Sequence, residues 1–331
     1  MKKTVTVLLC LCLLLTLFAG CGRPAADPAV TDPATPDGTP AQPLKIVCTV
    51  FPIYDWVRAV LGDRADAAEL TLLLDSGVDL HSYEPLPEDL LKLSQCDLFI
   101  YVGGESDEKW VPDTVESTGV KNELNLLQTL GAAAKEETEV AGMQAEEEEE
   151  EEGALDEHIW LSLKNAAALC GSVCDRLCEI DPANAETYRA NTDGYVAQLN
   201  DLDKQYAETA ETSEFRALLV ADRFPFRYLC DDYGITPYAA FSGCSTESTA
   251  GMGTIAGLAG YLNELGLRHV VVTETSDKAT AQAVIDSSEK KDQTIVVLDS
   301  LQSVTKARVD AGVTYLQVMR DNLEALKTAL N

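Results

Sequence analysis

Residues 181–212 read DPANAETYRANTDGYVAQLNDLDKQYAETAET, a stretch with one proline near its start and no later helix-ending signal except Gly194. Asp181 followed by Pro182 reads as a helix start, because proline lacks an amide hydrogen that would go unpaired in the first turn. Tyr188, Tyr195, Leu199, Leu202 and Tyr206 then recur at helical spacing, forming an apolar stripe down one face. A helix of roughly 30 residues spans about 45 Å. That length suits a strut between two lobes better than an element packed inside one.

Both flanks of this helix have the same grammar. Strand-like runs occur at 44–50, 68–74 and 98–102 before it, and at 217–221, 235–241, 269–273 and 294–298 after it, with helical patterns between them. Strands separated by helices imply parallel sheets covered on both faces. The expected fold is therefore α/β, with two pseudo-symmetric lobes over 44–180 and 214–331, each a parallel sheet flanked by helices, joined by one long backbone helix over 181–213.

The amino terminus has a different character. Lys2 and Lys3 precede an apolar run that ends Leu17-Phe18-Ala19-Gly20-Cys21. The run is short for a membrane span and reads as a signal peptide over 1–21. A small-small-Cys ending resembles a bacterial lipobox, in which Cys21 is acylated and anchors the mature chain to the outer side of the cell membrane. Residues 22–43 hold six prolines among Asp, Thr, Gly and Ala, a composition that cannot bury enough apolar surface to fold and reads as a tether.

Charge excludes some partners. The chain carries 55 acidic against 25 basic side chains, a formal net charge of -30, which argues against nucleic acid as a partner. Residues 131–157 alone contain twelve acidic side chains and one basic, including the unbroken glutamate run 146–152. Like charges at that density favour a solvated loop, placed at 135–157, over an ordered element.

The cysteines do not read as a disulfide scaffold. With Cys10 and Cys12 in the signal peptide and Cys21 given to lipid, seven remain in a chain long enough to need no staples. Cys170, Cys174 and Cys178 recur every four residues, which makes them small apolar residues of one helix face before it makes them a thiolate metal site. A Cys230–Cys244 disulfide has no support beyond being conceivable.

Only three histidines are present. His81 lies in Gly77-Val78-Asp79-Leu80-His81-Ser82-Tyr83-Glu84-Pro85, between a strand and the helix opened by Pro87. His158 lies in Asp156-Glu157-His158-Ile159-Trp160-Leu161, where an extended backbone would put His158 and Trp160 on one face. His269 begins a strand and is expected to be structural. Loop placement beside acidic and aromatic neighbours makes His81 and His158 the candidates for a site.

From Val47 to Leu330 the chain resembles the metal-binding solute receptors of zinc and manganese importers, lipoproteins with two lobes joined by a backbone helix. The resemblance is carried by Phe51-Pro52-Ile53-Tyr54-Asp55, His81-Ser82-Tyr83-Glu84-Pro85, His158-Ile159-Trp160-Leu161 and Leu298-Asp299-Ser300, in family order. It implies capture of a transition-metal ion, Zn²⁺ before Mn²⁺, by a monomer that delivers it to the membrane permease of an ABC importer and is not an enzyme. It also implies that His81 and His158 are ligands from the first lobe and Asp299 a ligand from the second. At the remaining ligand position the family has His or Glu, whereas this chain has Arg223, which stays protonated and has no lone pair to donate. Glu247 is the expected replacement, with Asp222 the weaker one. Arg223 is expected to hold a ligating carboxylate without touching the metal, a plain ion pair being the alternative.

Rival readings are weaker in detail. Gly251, Gly253 and Gly257 imitate a dinucleotide fingerprint but lack the immediate strand-to-helix turn. A zinc hydrolase with Glu84 or Glu157 as base has no HExxH-type ligand pair behind it. An adhesin-like surface lipoprotein would keep the anchor and need no metal.

Overall fold

A computed structural model describes residues 43–144, 153–245 and 249–331. Cys21, residues 22–42 of the tether, the glutamate run 146–152 and Glu247 lie outside the described residues.

Eight strands form two sheets. The first contains β1 (Lys45–Cys48), β2 (Glu69–Leu72), β3 (Leu98–Tyr101) and β4 (Glu123–Asn125) in the order β2-β1-β3-β4. The second contains β5 (Ala217–Arg223), β6 (Thr236–Phe241), β7 (His269–Thr273) and β8 (Thr294–Leu298) in the order β6-β5-β7-β8. Every pairing is parallel, and the two orders are the same when counted from the first strand of each sheet. Sequence patterning misses only β4, because three residues with one buried leucine, Leu124, are too few to show a period.

Both faces of the second sheet are covered, and the period of two along its strands divides the core accordingly. Leu218 and Val220 of β5 and Val271 of β7 join a core continuous with the first lobe. Leu219, Ala221, Val270 and Val272 point the other way, into a separate cluster with Leu258, Leu262 and Val284 from the helices Met252–Leu265 and Ala279–Ser287.

The linker begins as a 3-10 turn over Pro182–Asn184 and continues as a helix over Ala185–Thr212, 28 residues or about 42 Å at the usual rise. All five residues of its expected stripe are buried. Asp181 serves this start differently from a backbone cap: its carboxylate accepts from Asn184 Nδ2 and from the Tyr188 hydroxyl at 2.6 Å. At the first-lobe end Asn191 Nδ2 donates to Val60 O at 2.9 Å. Farther along, the Tyr206 hydroxyl donates to Met319 O at 2.6 Å.

Met319 belongs to the C-terminal helix Tyr315–Ala329, which ties back to the first lobe. Tyr315 N donates to Asp55 Oδ2 at 2.8 Å, the Tyr315 hydroxyl donates to Trp160 O at 2.5 Å, and its ring meets Trp56 edge-on at 5.4 Å. The chain's end is thus shared between lobes and is not a private part of the second.

The flanks of the acidic loop are more ordered than its charge suggests. Glu137 N donates to Ala154 O at 2.8 Å and Asp156 N to Lys135 O at 2.9 Å, an antiparallel clasp at the loop's base. Ala141 bridges in parallel to Tyr238, and Gln144 N reaches Ala240 O at 2.9 Å, so this flank lies along the edge of the second sheet. Charge density is concentrated in 146–152, and residues 135–144 and 153–157 retain enough backbone partners to dock.

Candidate metal centre

Parallel sheets gather function at the C-terminal ends of their strands, where the loops splay apart beside the change in strand order. Here nearly all of these ends contribute. The loop after β2 brings Asp79 and His81, the turn after β3 brings Ser106, β5 ends on Asp222 and Arg223, β6 leads to Cys244, β7 to Glu274 and β8 to Gln302. His158 comes from the return of the acidic loop.

His81 sits in a 3-10 turn, Leu80–Ser82, capped by Asp79, whose Oδ1 accepts from His81 N at 3.1 Å. Its Nδ1 lies 2.9 Å from Ser106 Oγ and 3.2 Å from Glu157 Oε2. Ser106 Oγ donates to Glu157 Oε2 at 2.7 Å and Ser106 N to Glu157 Oε1 at 2.6 Å. With the serine proton committed to Glu157, the serine oxygen accepts from His81 Nδ1–H, and the Nε2 lone pair is left free. Gly104 permits this packing, since a Cβ there would come within 2.4 Å of the Glu157 side chain.

His158 is fully buried. Its backbone N and its Nδ1 both lie against Asp156 Oδ1, at 2.8 and 2.9 Å, which makes Nδ1 the donor and again frees Nε2. The segment is not extended as its sequence suggested: Ile159–Leu161 forms a 3-10 turn, yet the His158 and Trp160 rings remain neighbours at 5.6 Å. Burial works to lower the His158 pKa, but Asp156, Glu137 and Glu157 outweigh it and hold it above the ordinary value. Glu157 is held below the ordinary range: its burial is overcome by hydrogen bonds and charge from His81 and by donation from Ser106.

The two Nε2 atoms converge on one group. Gln302 Nε2 lies 3.1 Å from His81 Nε2 and 2.8 Å from His158 Nε2, across 221 and 144 positions of sequence. An amide carries two hydrogens, so it can donate to both lone pairs at once. The turn that delivers Gln302 is built for it. Leu301 adopts φ +62, an uncommon region for a residue with a branched side chain. Leu301 N donates to Asp299 Oδ1 at 2.9 Å, Ser300 N and Oγ donate to Glu274 at 2.7 and 2.9 Å, and Trp160 Nε1 donates to Ser300 O at 2.8 Å.

The residues predicted for the second lobe are placed differently from the histidines. Asp299 shapes the Gln302 turn, and its Oδ2 pairs with Arg308 at 2.7 Å. Asp222 accepts from Arg223 N and from Thr273 N and Oγ1, so it faces β7. Among the described residues the Arg223 guanidinium pairs with neither of the candidate ligands Asp222 and Asp299, but with Asp79, at 2.8 Å, from the opposite lobe beside His81. Burial tends to raise the Asp79 pKa, while His81 and Arg223 prevail and hold it low. A cleft of about 430 Å³ lined by Asp79, His81, Asp222 and Arg223 opens on this side. His269, as expected, is structural: its Nδ1 meets Thr294 Oγ1 at 2.7 Å on the neighbouring strand.

Three contributors, Glu137, Cys244 and Gln302, have no site role in the sequence analysis, and Glu157 enters there only as the base of the rival hydrolase reading. Among the described residues, one group of metal-capable side chains has its donor atoms all within 4.8 Å of one another, namely His81, Glu157 and Cys244. Glu137 Oε1 accepts from Gly243 N at 3.1 Å and from Cys244 N at 3.4 Å, pinning the turn that carries this thiol. Burial, then the charges of Glu137, Glu157 and Asp156, push the Cys244 thiol well above its usual pKa. The seven cysteines of the described residues are all free thiols, Cys230 and Cys244 included. Only the fixed neighbours of Glu157 and Cys244, each adjacent to a residue already singled out or to a glycine after a strand, could have drawn attention to them.

Residues 46–329 match the family described as zinc-uptake complex component A, periplasmic. The chain belongs to that family. It is 30% identical to the high-affinity zinc uptake system protein ZnuA of Bacillus subtilis over 87% of this chain and 88% of that protein. It is 32% identical to the zinc-binding lipoprotein AdcA of Streptococcus pneumoniae over 86% of this chain, but spans only 55% of that longer protein. The crystal structure of the Zn(II)-bound ZnuA-like domain of the same AdcA superposes with a TM-score of 0.68 at 28% identity, covering 87% of this chain and 99% of that domain. The family assignment agrees with the two parallel-sheet lobes and the helix between them.

Proposed function

We propose that this chain captures Zn²⁺ outside the cytoplasm and delivers it to the permease of an ABC importer. The observation that carries the reading is the convergence of the His81 and His158 Nε2 lone pairs on one point, with both Nδ1 atoms already committed to fixed acceptors. A hydrogen-bonded Nδ1 fixes tautomer and ring orientation, which is how ligating imidazoles are prepared in metal sites. Zinc takes imidazole nitrogen at about 2.0–2.1 Å without a geometric demand of its own. An ion at that point replaces the Gln302 NH₂ group and brings the ring nitrogens inward.

The second lobe then completes the coordination by a change of side-chain partners. Gln302 can turn its carbonyl oxygen to the ion, and Asp299 comes into play by leaving Arg308. Glu247 remains the candidate from outside the described residues. Two imidazoles favour zinc over manganese, which prefers oxygen-rich sites. In this reading the chain is a receptor and not an enzyme, works as a monomer without nucleic acid, and is held at the membrane surface through acylated Cys21 and the 22–43 tether.

Isothermal titration of the purified full chain with Zn²⁺ and Mn²⁺ tests the reading. One tight Zn²⁺ site, lost in His81→Ala and in His158→Ala, is expected. Absence of a tight site, or a site indifferent to both substitutions, overturns it.

A further inference from the structure

We infer that Cys244 is a metal ligand from the second lobe, its sulfur supplying a donor at a site where β5 ends on the cationic Arg223. The inference rests on the metal-capture reading above and names the chemistry of one of its ligands.

Geometry brings the thiol to His81 and, through the neighbouring Gly243, its turn to the His158 ring. The donor atoms of His81, Glu157 and Cys244 lie within 4.8 Å of one another. The turn after β6 approaches so closely that a Cβ on Gly243 would stand 2.9 Å from His158 Cε1 and 2.9 Å from Phe224 O, so only glycine admits this path. Glu137 clamps the two successive amides of Gly243 and Cys244 and keeps the next residue at the edge of the imidazole cluster. Zinc bonds of about 2.0–2.3 Å place tetrahedral donors roughly 3.4–3.8 Å apart. For His81 and Cys244, at most 4.8 Å apart, this needs an inward movement of about 1 Å, within reach of side-chain adjustment and the accompanying shift of the turn.

The role differs from that of Glu157, whose two oxygens are occupied by Ser106 and the His81 ring and which positions that imidazole. Among the described residues the Cys244 sulfur has a hydrogen bond to the Glu137 carboxylate. On coordination the sulfur–metal bond forms, the S–H bond breaks, and the proton passes to the Glu137 carboxylate and from there to water. A sulfur ligand also has a consequence for cargo. Thiolate with imidazole selects zinc, whereas manganese is held by carboxylate, carbonyl and water. Because His81 and His158 belong to the first lobe and Cys244 to the second, the same bond fastens the lobes over the ion.

Three measurements on the full chain test this. With Co²⁺ as the probe, the parent is expected to show thiolate-to-cobalt charge-transfer absorption in the near ultraviolet that Cys244→Ser lacks. Zinc affinity of Cys244→Ser is expected to fall by more than the roughly 10–100-fold typical of residues that only orient a ligand, while manganese affinity stays within a few-fold. In the unmutated chain, Zn²⁺ is expected to protect Cys244 from iodoacetamide, with the partly exposed Cys96 as the unprotected control. This last measurement holds even if a variant folds badly. A cobalt complex without the absorption, or alkylation of Cys244 unaffected by zinc, overturns the thiol ligand while leaving zinc capture by the histidines intact. A parent chain that binds no zinc overturns the capture reading and this inference together.

Discussion

The two lobes share one strand order but present opposite chemistry at their strand ends. The first supplies imidazoles whose every spare polar atom is already paired: His81 against Ser106 and Glu157, His158 against Asp156. The second supplies an arginine, an amide and a thiol, held by contacts that a metal would rearrange. In the proposed reading, equivalent topology serves one half whose ligands are held in advance and one half whose side chains change partners on capture. Preparing one half lowers the ordering cost of binding, and leaving the other adjustable allows release to a partner.

The contrast can be broken most severely at His158. Its replacement by Ala removes a ligand from the prepared half, and zinc affinity is expected to fall by more than about a hundredfold, beyond what loss of an orienting residue causes. Competition with a calibrated chelator measures it, and a smaller loss would mean that the second lobe carries the site.

Acidity gives the next largest effect and sharpens the comparison, because it acts on the same prepared half in two directions. His158 has its pKa raised in the fold by Asp156 and further carboxylates despite burial. A raised folded pKa makes the metal-free chain's stability contribution from this group fully present below the ordinary pKa and lost as pH rises through the folded one. Zinc needs the neutral ring, so its affinity runs the other way, rising with pH and falling about tenfold for each unit of acidification below the pKa of the displaced proton. Thermal unfolding of the metal-free chain and zinc competition across the same pH series are expected to show these opposite slopes.

Arg223→Ala tests the adaptable half. It removes the ion pair to Asp79 that joins the lobes, and zinc affinity is expected to weaken about tenfold, in the range of an orienting residue, with faster release in stopped-flow chelation. Unchanged affinity and release would reduce the pair to a surface contact. The smallest effect is expected from deleting residues 146–152. The run has no imidazole or sulfur donor, and attraction between charges is largely screened beyond about 8 Å at physiological salt. Affinity is expected to stay within a few-fold; a hundredfold loss in titration would assign the run a part in coordination.

Much of the molecule was legible from local pattern. Seven of the eight strands, the stripe of Tyr188, Tyr195, Leu199, Leu202 and Tyr206, and the candidacy of His81 and His158 follow from periodicity, start signals and loop chemistry. Motif matching points to Asp299 in Leu298-Asp299-Ser300, whereas the residue that meets the histidines in the structure is Gln302, three positions on, where Leu301 turns the backbone into its left-handed region. Arg223 reads as the holder of a ligating carboxylate, whereas its partner in the structure is Asp79, a choice that depends on how closely the lobes approach.

By itself, then, the sequence determined everything that a period of two or 3.6 can express: two α/β lobes, a long helix between them, and which strand ends carry unusual side chains. Only the tertiary structure decided which of those side chains face one another. Glu137, Glu157, Cys244 and Gln302 are scattered over more than 160 positions, and nothing in their immediate neighbourhoods encodes a shared destination. Their meeting follows from two parallel sheets turning their C-terminal edges together, with a clamped loop, a glycine too close to an imidazole for any Cβ, and one strained turn setting the final few ångströms.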